Sequence, residues 1–135
     1  MRIYLDASPV IYIVERVSQY FDYLDRRLSV PGDSLVVSEL TRMECRVLPI
    51  REGSRRVLQS FDDYFETRVS QTVPISREVI DVATLIRARY GFATPDAIHL
   101  GAALASGCDV FLTNDNRLAR FSEMSVEVIE GDLSE

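Results

Sequence analysis

Short apolar runs alternate along the chain with longer segments in which apolar residues recur at helical spacing. Five short runs contain β-branched or aromatic residues and predict strands, at residues 2–5, 35–37, 72–75, 110–112 and 126–129. The longer segments predict helices at residues 10–17, 20–28, 38–49, 54–69, 76–91 and 96–106, and a helical turn at 116–121. This alternation predicts an α/β fold with helices on both faces of a parallel sheet, a three-layer α/β/α sandwich.

Polar residues and prolines indicate where several helices begin and end. Ser8 and Thr94 each precede a proline, and Ser38 precedes a segment at helical spacing, so all three are predicted N-caps. Pro49 is predicted to help end the third helix. Four apolar residues of that helix share one face, which is predicted to pack inward; they are Leu40, Met43, Val47 and Leu48.

The composition predicts one globular domain that spans residues 1–135. Hydrophobic residues make up 47% of the chain and charged residues 27%, which argues against disorder. The first acid follows an uninterrupted run of only three apolar residues, which is too short for a signal peptide or a membrane span. We therefore expect a cytoplasmic protein with no membrane partner. Cys45 and Cys108 belong to no CxxC pair and are predicted to be buried thiols.

The net charge of −6 affects which partners the chain can bind. Taken alone, a negative charge argues against a polyanion such as nucleic acid. Divalent cations bound to acidic side chains would change this locally, because the site would then attract phosphate. The global charge therefore does not decide between nucleic-acid binding and other functions.

Four acids occupy positions where carboxylates could meet. Asp6 and Asp115 follow predicted strands, and ligands of parallel sheets bind beyond the carboxyl ends of strands. Glu44 lies within the apolar face of its helix, where a lone buried carboxylate would be costly. Asp96 lies in the first turn of a helix.

Each acid also has a purely structural interpretation. Glu44 could extend to solvent from the helix edge, and Asp96 could serve only the helix dipole. Asp6 could be a turn residue and Asp115 a helix cap. Their joint placement favours one shared site, and oxygen ligands alone favour one or two Mg²⁺ or Mn²⁺ ions.

Four motifs resemble those of a known family. They are Ile-Tyr-Leu-Asp-Ala-Ser at 3–8, Ser-Glu-Leu-Thr-Arg-Met-Glu at 38–44, Thr-Pro-Asp-Ala-Ile-His-Leu at 94–100 and Phe-Leu-Thr-Asn-Asp at 111–115. In this order they resemble the PIN-domain ribonucleases and, more narrowly, the VapC toxins of toxin–antitoxin pairs. The stretch from 94 to 115 is the most specific part, and the resemblance covers essentially the whole chain.

The resemblance implies a PIN-like fold with five parallel strands and metal-dependent hydrolysis of RNA. It also implies a homodimer and inhibition by a cognate antitoxin protein. Asp6, Glu44, Asp96 and Asp115 match the acidic metal-binding and catalytic set of the family. Ser8 and Thr113 match polar positions of the family that help orient the site.

Two further residues lie close to these acids in the sequence. His99 is three residues after Asp96, and we interpret it as a hydrogen-bonded core residue rather than a metal ligand. Arg117 follows Asp115 and is the arginine nearest the predicted cleft, which makes it a candidate for binding substrate phosphate.

Competing functions differ in the residues they require. All 15 cationic side chains are arginine, so a phosphoacceptor receiver domain is excluded because its chemistry needs a lysine. An aspartyl phosphatase needs Asp-x-Asp after the first strand, where this chain has Ser8 two residues after Asp6. Two alternatives stay open: an inactive PIN-like module that binds protein, and a DNA-directed nuclease.

Overall fold

Five parallel strands form the centre of the structure, a computed structural model that describes residues 1–131. The strands are β1 (Arg2–Leu5), β2 (Ser34–Ser38), β3 (Gln71–Val73), β4 (Val110–Thr113) and β5 (Ser125–Val128). The helices are α1 (Ala7–Val14), α2 (Ser18–Arg27), α3 (Glu39–Glu52), α4 (Arg55–Thr67), α5 (Arg77–Tyr90) and α6 (Thr94–Ala105), with a 3₁₀ turn at Asn116–Arg120. The end of the acidic C-terminal tail, residues 132–135, lies outside the described residues.

The strand order is β3-β2-β1-β4-β5, so the direction of winding reverses at β1. The chain adds β2 and β3 on one side of β1 and then returns to add β4 and β5 on the other side. Leu5 of β1 is in register with Leu112 of β4, and the backbone N–H of Asp6 donates to Leu112 O at 3.0 Å. Crossovers that leave in opposite directions open a crevice beyond the carboxyl ends of β1 and β4.

Side chains alternate between two hydrophobic cores, one on each face of the sheet. On β1, Tyr4 packs into the core under α5 and α6, whereas Ile3 and Leu5 pack into the core under α1 to α4. All three side chains are fully buried. Because successive side chains of a strand point to opposite faces, helices must cover both faces of the sheet. The predicted three-layer α/β/α fold with five parallel strands is confirmed.

Gly101 allows α6 to pack closely against α5. A Cβ at this position would lie 3.0 Å from Ala83 N and 3.1 Å from Ala83 Cα, which are backbone atoms that cannot move independently of their helix. Glycine therefore sets the distance between α5 and α6. This packing fixes α6, whose first turn carries Asp96.

Two of the predicted helix starts are wrong. Asp6, and not Ser8, caps α1, because its carboxylate lies at the strand end and accepts from Ala7 N at 2.8 Å. Helix α6 begins at Thr94 itself, with Ala93 at the N-cap and no side-chain cap. The prediction for Ser38 is confirmed, since its side chain accepts from Thr41 N in a reciprocal capping box.

The interior of α3 also differs from the prediction. Pro49 lies inside this helix, which ends only at Gly53 in the left-handed conformation with a φ of 69°. The inward face consists of Thr41, Cys45 and Pro49. These smaller side chains leave the larger apolar ones outside: Met43 is 56% exposed, Val47 43% and Leu48 51%.

Both cysteines are buried free thiols, as predicted. Burial is the main cause that raises the pKa of Cys45, and the negative charges of Glu44 and Asp6 raise it further. Within residues 1–131, none of the helices combines the length and the apolar character that crossing a membrane requires.

Candidate active site at the carboxyl edge of the sheet

Asp6 and Thr113 connect the ends of β1 and β4. The hydroxyl of Thr113 donates to Asp6 Oδ2 at 2.7 Å, and Asp6 Oδ1 accepts from Ala7 N at 2.8 Å. The same Thr113 hydroxyl accepts from the backbone N–H of Asp115 at 3.1 Å. Thr113 is fully buried, so these bonds hold the Asp6 carboxylate in one orientation at the crevice.

Ser8 acts on the loop after β4 and not directly on a carboxylate. Its hydroxyl accepts from the backbone N–H of Asn114 at 3.2 Å. The Asn114 side chain in turn donates to the Tyr12 hydroxyl at 2.6 Å. Ser8 and Tyr12 both lie on α1, so these bonds join the first helix to the loop that carries Asp115.

Glu44 extends from α3 toward Asp6 and His99. Its Oε1 lies 2.6 Å from His99 Nε2, and the same nitrogen lies 3.5 Å from Asp6 Oδ1. One potential ligand atom from each of these three residues lies within 4.8 Å of the others. The Glu44 side chain is 33% exposed, so the cluster opens to solvent on one side.

The surroundings of Glu44 differ from the prediction. The apolar face that was predicted to bury this residue faces mostly outward, and Glu44 lies at the border between that face and the buried line of Thr41 and Cys45. The inward orientation of its carboxylate results from the hydrogen bond to His99. Helical spacing alone could not show this contact.

His99 is 1% exposed and hydrogen-bonded, as predicted for a core residue. Its position beside the carboxylates of Asp6 and Glu44 was not predicted from the sequence. The three-residue spacing from Asp96 placed it on the right side of α6 and was the available signal. Its partner on α3 could be found only in the folded structure.

A buried polar chain behind His99 was also missed. His99 Nδ1 lies 2.7 Å from the Tyr4 hydroxyl, which lies 2.8 Å from Ser38 Oγ and 3.4 Å from Thr41 Oγ1. Tyr4, Ser38 and Thr41 are fully buried. Burial is the main cause that raises the pKa of Tyr4, so its hydroxyl stays protonated.

Asp96 lies in the first turn of α6 and interacts with the other acids through space. Its pKa is raised, first by partial burial and then by the negative charges of Asp6 and Asp115. A cation nearby would offset these negative charges and favour the ionised form of Asp96. The charge pattern therefore suits a cation.

Asp115 is paired with Arg117, two residues later. Arg117 Nε lies 3.0 Å from Asp115 Oδ1, and its Nη2 lies 2.6 Å from Oδ2. These side-chain hydrogen bonds are the main cause that lowers the pKa of Asp115. The Arg117 side chain is 79% exposed, so solvent screens the pair and the guanidinium can exchange partners readily.

The donor atoms present here fit a divalent cation. Asp6 and Glu44 offer carboxylate oxygens, which Mg²⁺ and Mn²⁺ prefer, and both side chains are partly exposed. The raised pKa of Asp96 marks a further carboxylate in range of the same charges. The residues could thus hold a hard cation at the crevice between β1 and β4.

Comparison with known proteins agrees with this architecture. Residues 3–124 match the model of the PIN domain. The chain belongs to the PIN-domain family. This match confirms the predicted family resemblance over most of the chain. No curated protein sequence matches the chain.

Several solved structures share the fold of this PIN domain at low sequence identity. VapBC2 from Rickettsia felis, bound to a DNA fragment from its promoter, has a TM-score of 0.77 and 15% identity, with 96% of this chain and 100% of that chain covered. A toxin–antitoxin complex from Klebsiella pneumoniae has a TM-score of 0.74 and 18% identity, with coverage of 93% and 96%. Mycobacterium tuberculosis VapC20, described as a sarcin–ricin loop cleaving toxin, has a TM-score of 0.66 and 15% identity, with coverage of 81% and 86%.

Proposed function

We propose that this PIN domain is a divalent-cation-dependent endoribonuclease that hydrolyses RNA phosphodiesters, and that it acts as the toxin of a type II toxin–antitoxin pair. The observation that carries the proposal is the meeting of Asp6, Glu44 and His99 beyond the carboxyl ends of β1 and β4. The description of VapC20 as a sarcin–ricin loop cleaving toxin supports the choice of substrate. The toxin role is supported by the fold shared with toxin–antitoxin complexes.

In this proposal Asp6, Glu44, Asp96 and Asp115 hold one or two Mg²⁺ or Mn²⁺ ions. A bound divalent cation supplies Lewis acidity, which activates water and stabilises negative charge on the leaving oxygen. Thr113 and Ala7 N hold the Asp6 carboxylate in place before substrate arrives, so little reorganisation is needed during the reaction.

The side chains near the acids are poorly suited to attack phosphorus themselves, which favours direct hydrolysis by water over a covalent intermediate. Cys45 is the thiol nearest the acids, but it is 2% exposed and its raised pKa keeps it protonated. Ser8 lies within the first helix and its hydroxyl accepts a hydrogen bond from the loop after β4. Arg117 is exposed beside Asp115 and can exchange that carboxylate for a substrate phosphate.

Cleavage of total cellular RNA by the purified protein tests the proposal. With Mg²⁺ or Mn²⁺ we expect discrete fragments, and with chelator we expect none. Asp96→Asn should lower the cleavage rate by roughly 100-fold or more, because it removes a charge from the site. Asp81→Asn, on the exposed side of α5, is the matched control and should cleave as the wild type does.

The same assay separates the two alternatives. Equal cleavage of single-stranded DNA and RNA of the same sequence would favour the DNA-directed nuclease, because a ribonuclease reads or uses the 2′-hydroxyl. Absence of both cleavage and cation binding would favour a module that only binds protein. Full activity of correctly folded Asp96→Asn would show that the assignment of the site is wrong.

We propose further that the protein forms a homodimer through the outward face of α3. Met43, Val47 and Ile50 recur at helical spacing on this face and are 56%, 43% and 58% exposed. Two copies of α3 packed antiparallel, with Met43 of one against Val47 of the other, would bring Glu39 opposite Arg51 of the second copy. This opposite-charge pair would form twice by symmetry, which favours a second copy as the partner.

We also propose that a cognate antitoxin protein silences the enzyme. The support comes from structural neighbours that are complexes of toxin with antitoxin. An RNA substrate agrees with the expected cytoplasmic location, which stays a prediction.

A further inference from the structure

We propose that the buried chain of Ser38, Tyr4 and His99 positions the Glu44 carboxylate at the cation site. His99 would thus be a positioning residue that acts on the reaction through Glu44. The inference rests on the proposed function, since it assigns Glu44 to the cation. It concerns two residues, Tyr4 and His99, to which the proposed mechanism assigns no chemical role.

Within residues 1–131, the Glu44 carboxylate is held by His99 alone, whereas the Asp6 carboxylate has two hydrogen-bond partners. Asp6 is held by Thr113 and by Ala7 N, and Asp115 is held by Arg117. In the described part of the chain, the one hydrogen bond of Glu44 is to His99 Nε2, at 2.6 Å. A glutamate side chain loses rotamer entropy when it is fixed, so a glutamate that is 33% exposed needs a partner to stay in one orientation.

His99 can orient Glu44 because its own ring is fixed. Its Nδ1 lies 2.7 Å from the Tyr4 hydroxyl, and rotating the ring would break this bond in a site without access to water. The Tyr4 ring is stacked on Phe111, with centroids 5.2 Å apart and an interplanar angle of 10°.

The end of this hydrogen-bonded chain that lies farthest from Glu44 is anchored to strands of the sheet. The Tyr4 hydroxyl lies 2.8 Å from Ser38 Oγ, at the end of β2. It lies 3.4 Å from Thr41 Oγ1, which donates to Leu5 O of β1 at 3.3 Å. The orientation of His99 is therefore set by two strands, and through His99 the sheet sets the orientation of a carboxylate on α3.

The geometry favours positioning over direct ligation by His99. Neighbouring ligand atoms in an octahedral Mg²⁺ site lie roughly 3 Å apart, since each is 2.0–2.1 Å from the ion. The separation of 2.6 Å between His99 Nε2 and Glu44 Oε1 is instead that of a strong hydrogen bond.

The first test uses cation-free protein and nitrogen NMR of the imidazole ring. His99 is the only histidine of the chain, so its two ring nitrogens give unique signals. Tyr4→Phe should shift the Nδ1 signal and Glu44→Gln the Nε2 signal. Tyr64→Phe is the matched control, because Tyr64 is also buried and its hydroxyl has no hydrogen-bond partner among residues 1–131. Unchanged His99 signals in Tyr4→Phe would show that the hydrogen bond between Tyr4 and His99 does not form, and this result does not depend on whether the protein binds metal.

The second test measures cation affinity by calorimetry. Tyr4→Phe and His99→Gln should each weaken Mg²⁺ and Mn²⁺ binding by a similar factor, about 10–100-fold, while Tyr64→Phe leaves it unchanged. In a Glu44→Gln background, His99→Gln should have no further effect, because the group that it positions is already altered.

Four results would contradict the positioning role. Additive losses in the double variant, or a loss confined to Mn²⁺, would make His99 an independent ligand, since imidazole suits Mn²⁺ better than Mg²⁺. Wild-type affinity in Tyr4→Phe would overturn the positioning role and leave the proposed nuclease intact. Wild-type protein that binds neither cation would overturn the proposed function and the positioning role together.

Discussion

At the scale of single residues, Asp96 is subject to two opposing effects. Its place in the first turn of α6 favours the ionised carboxylate by about 0.3–1 kcal/mol through the helix dipole. Partial burial and the charges of Asp6 and Asp115 disfavour it and raise its pKa. Below the ordinary aspartate range the protonated group adds stability, which is lost as the pH rises through its raised pKa.

We therefore expect Asp96→Asn to stabilise the cation-free protein at pH 7. The gain should be about 0.5–1 kcal/mol, or roughly 2–4 °C in Tm, because solvent screens a partly exposed group. It should vanish at a pH below the ordinary aspartate range, where the wild-type group is neutral as well. Thermal unfolding in chelator at several pH values measures both effects.

Added Mg²⁺ provides the internal control for this prediction. Cation binding stabilises the folded wild type and should do so less in the variant, so the order of the two Tm values should reverse. A variant that is less stable than wild type in chelator at pH 7 would show that the helix dipole outweighs burial and repulsion at this position.

At the scale of elements, α3 has three distinct sides. Thr41 and Cys45 face the core, Glu44 lies at the border of the crevice, and Met43 and Val47 face outward. The outward side lacks a partner within the described part of the chain, and a symmetric dimer would cover it. Its burial would stabilise the dimer by the hydrophobic effect.

Val47→Arg should prevent dimer formation, because it places a cation at the centre of this apolar face, opposite Met43 of the second copy. Leu85→Arg is the matched control, since Leu85 is 65% exposed on α5, away from the proposed interface. Sedimentation at micromolar concentration should show a dimer for wild type and Leu85→Arg and a monomer for Val47→Arg. A monomeric wild type, or a dimeric Val47→Arg, would contradict the proposed interface.

At the scale of the whole molecule, the protein combines a net charge of −6 with a solvent-accessible acidic crevice. Cations in the crevice would make this one region attractive to phosphate, while the remaining surface repels nucleic acid. Such a protein depends on its site for RNA contact, so a partner that covers the site could silence it completely.

Expression of the chain alone in its native host should therefore arrest growth, and co-expression of a small antitoxin encoded beside it should restore growth. The Asp96→Asn variant should be harmless, because it keeps the fold and loses cleavage. Growth curves after induction provide the measurement. Normal growth with active wild-type protein and without the partner would count against the toxin role.

The sequence by itself determined the sheet and where its strands end. Strand positions follow from local runs of β-formers, and the predicted strands agree with those observed to within two residues. Asp6 and Asp115 could be placed at one edge because carboxyl ends of parallel strands lie together. The roles of the four acids as cation ligands stay a prediction.

Only the tertiary structure decided which side of α3 faces the core and which residues meet there. Helical spacing identified an apolar face, but the rotation of α3 in the fold turns Thr41 and Cys45 inward and leaves Met43 and Val47 exposed. His99 and Glu44 are 55 residues apart, and Tyr4 and His99 are 95 apart. Such contacts depend on how each helix is rotated and how closely it packs on its neighbours, and local periodicity contains neither quantity.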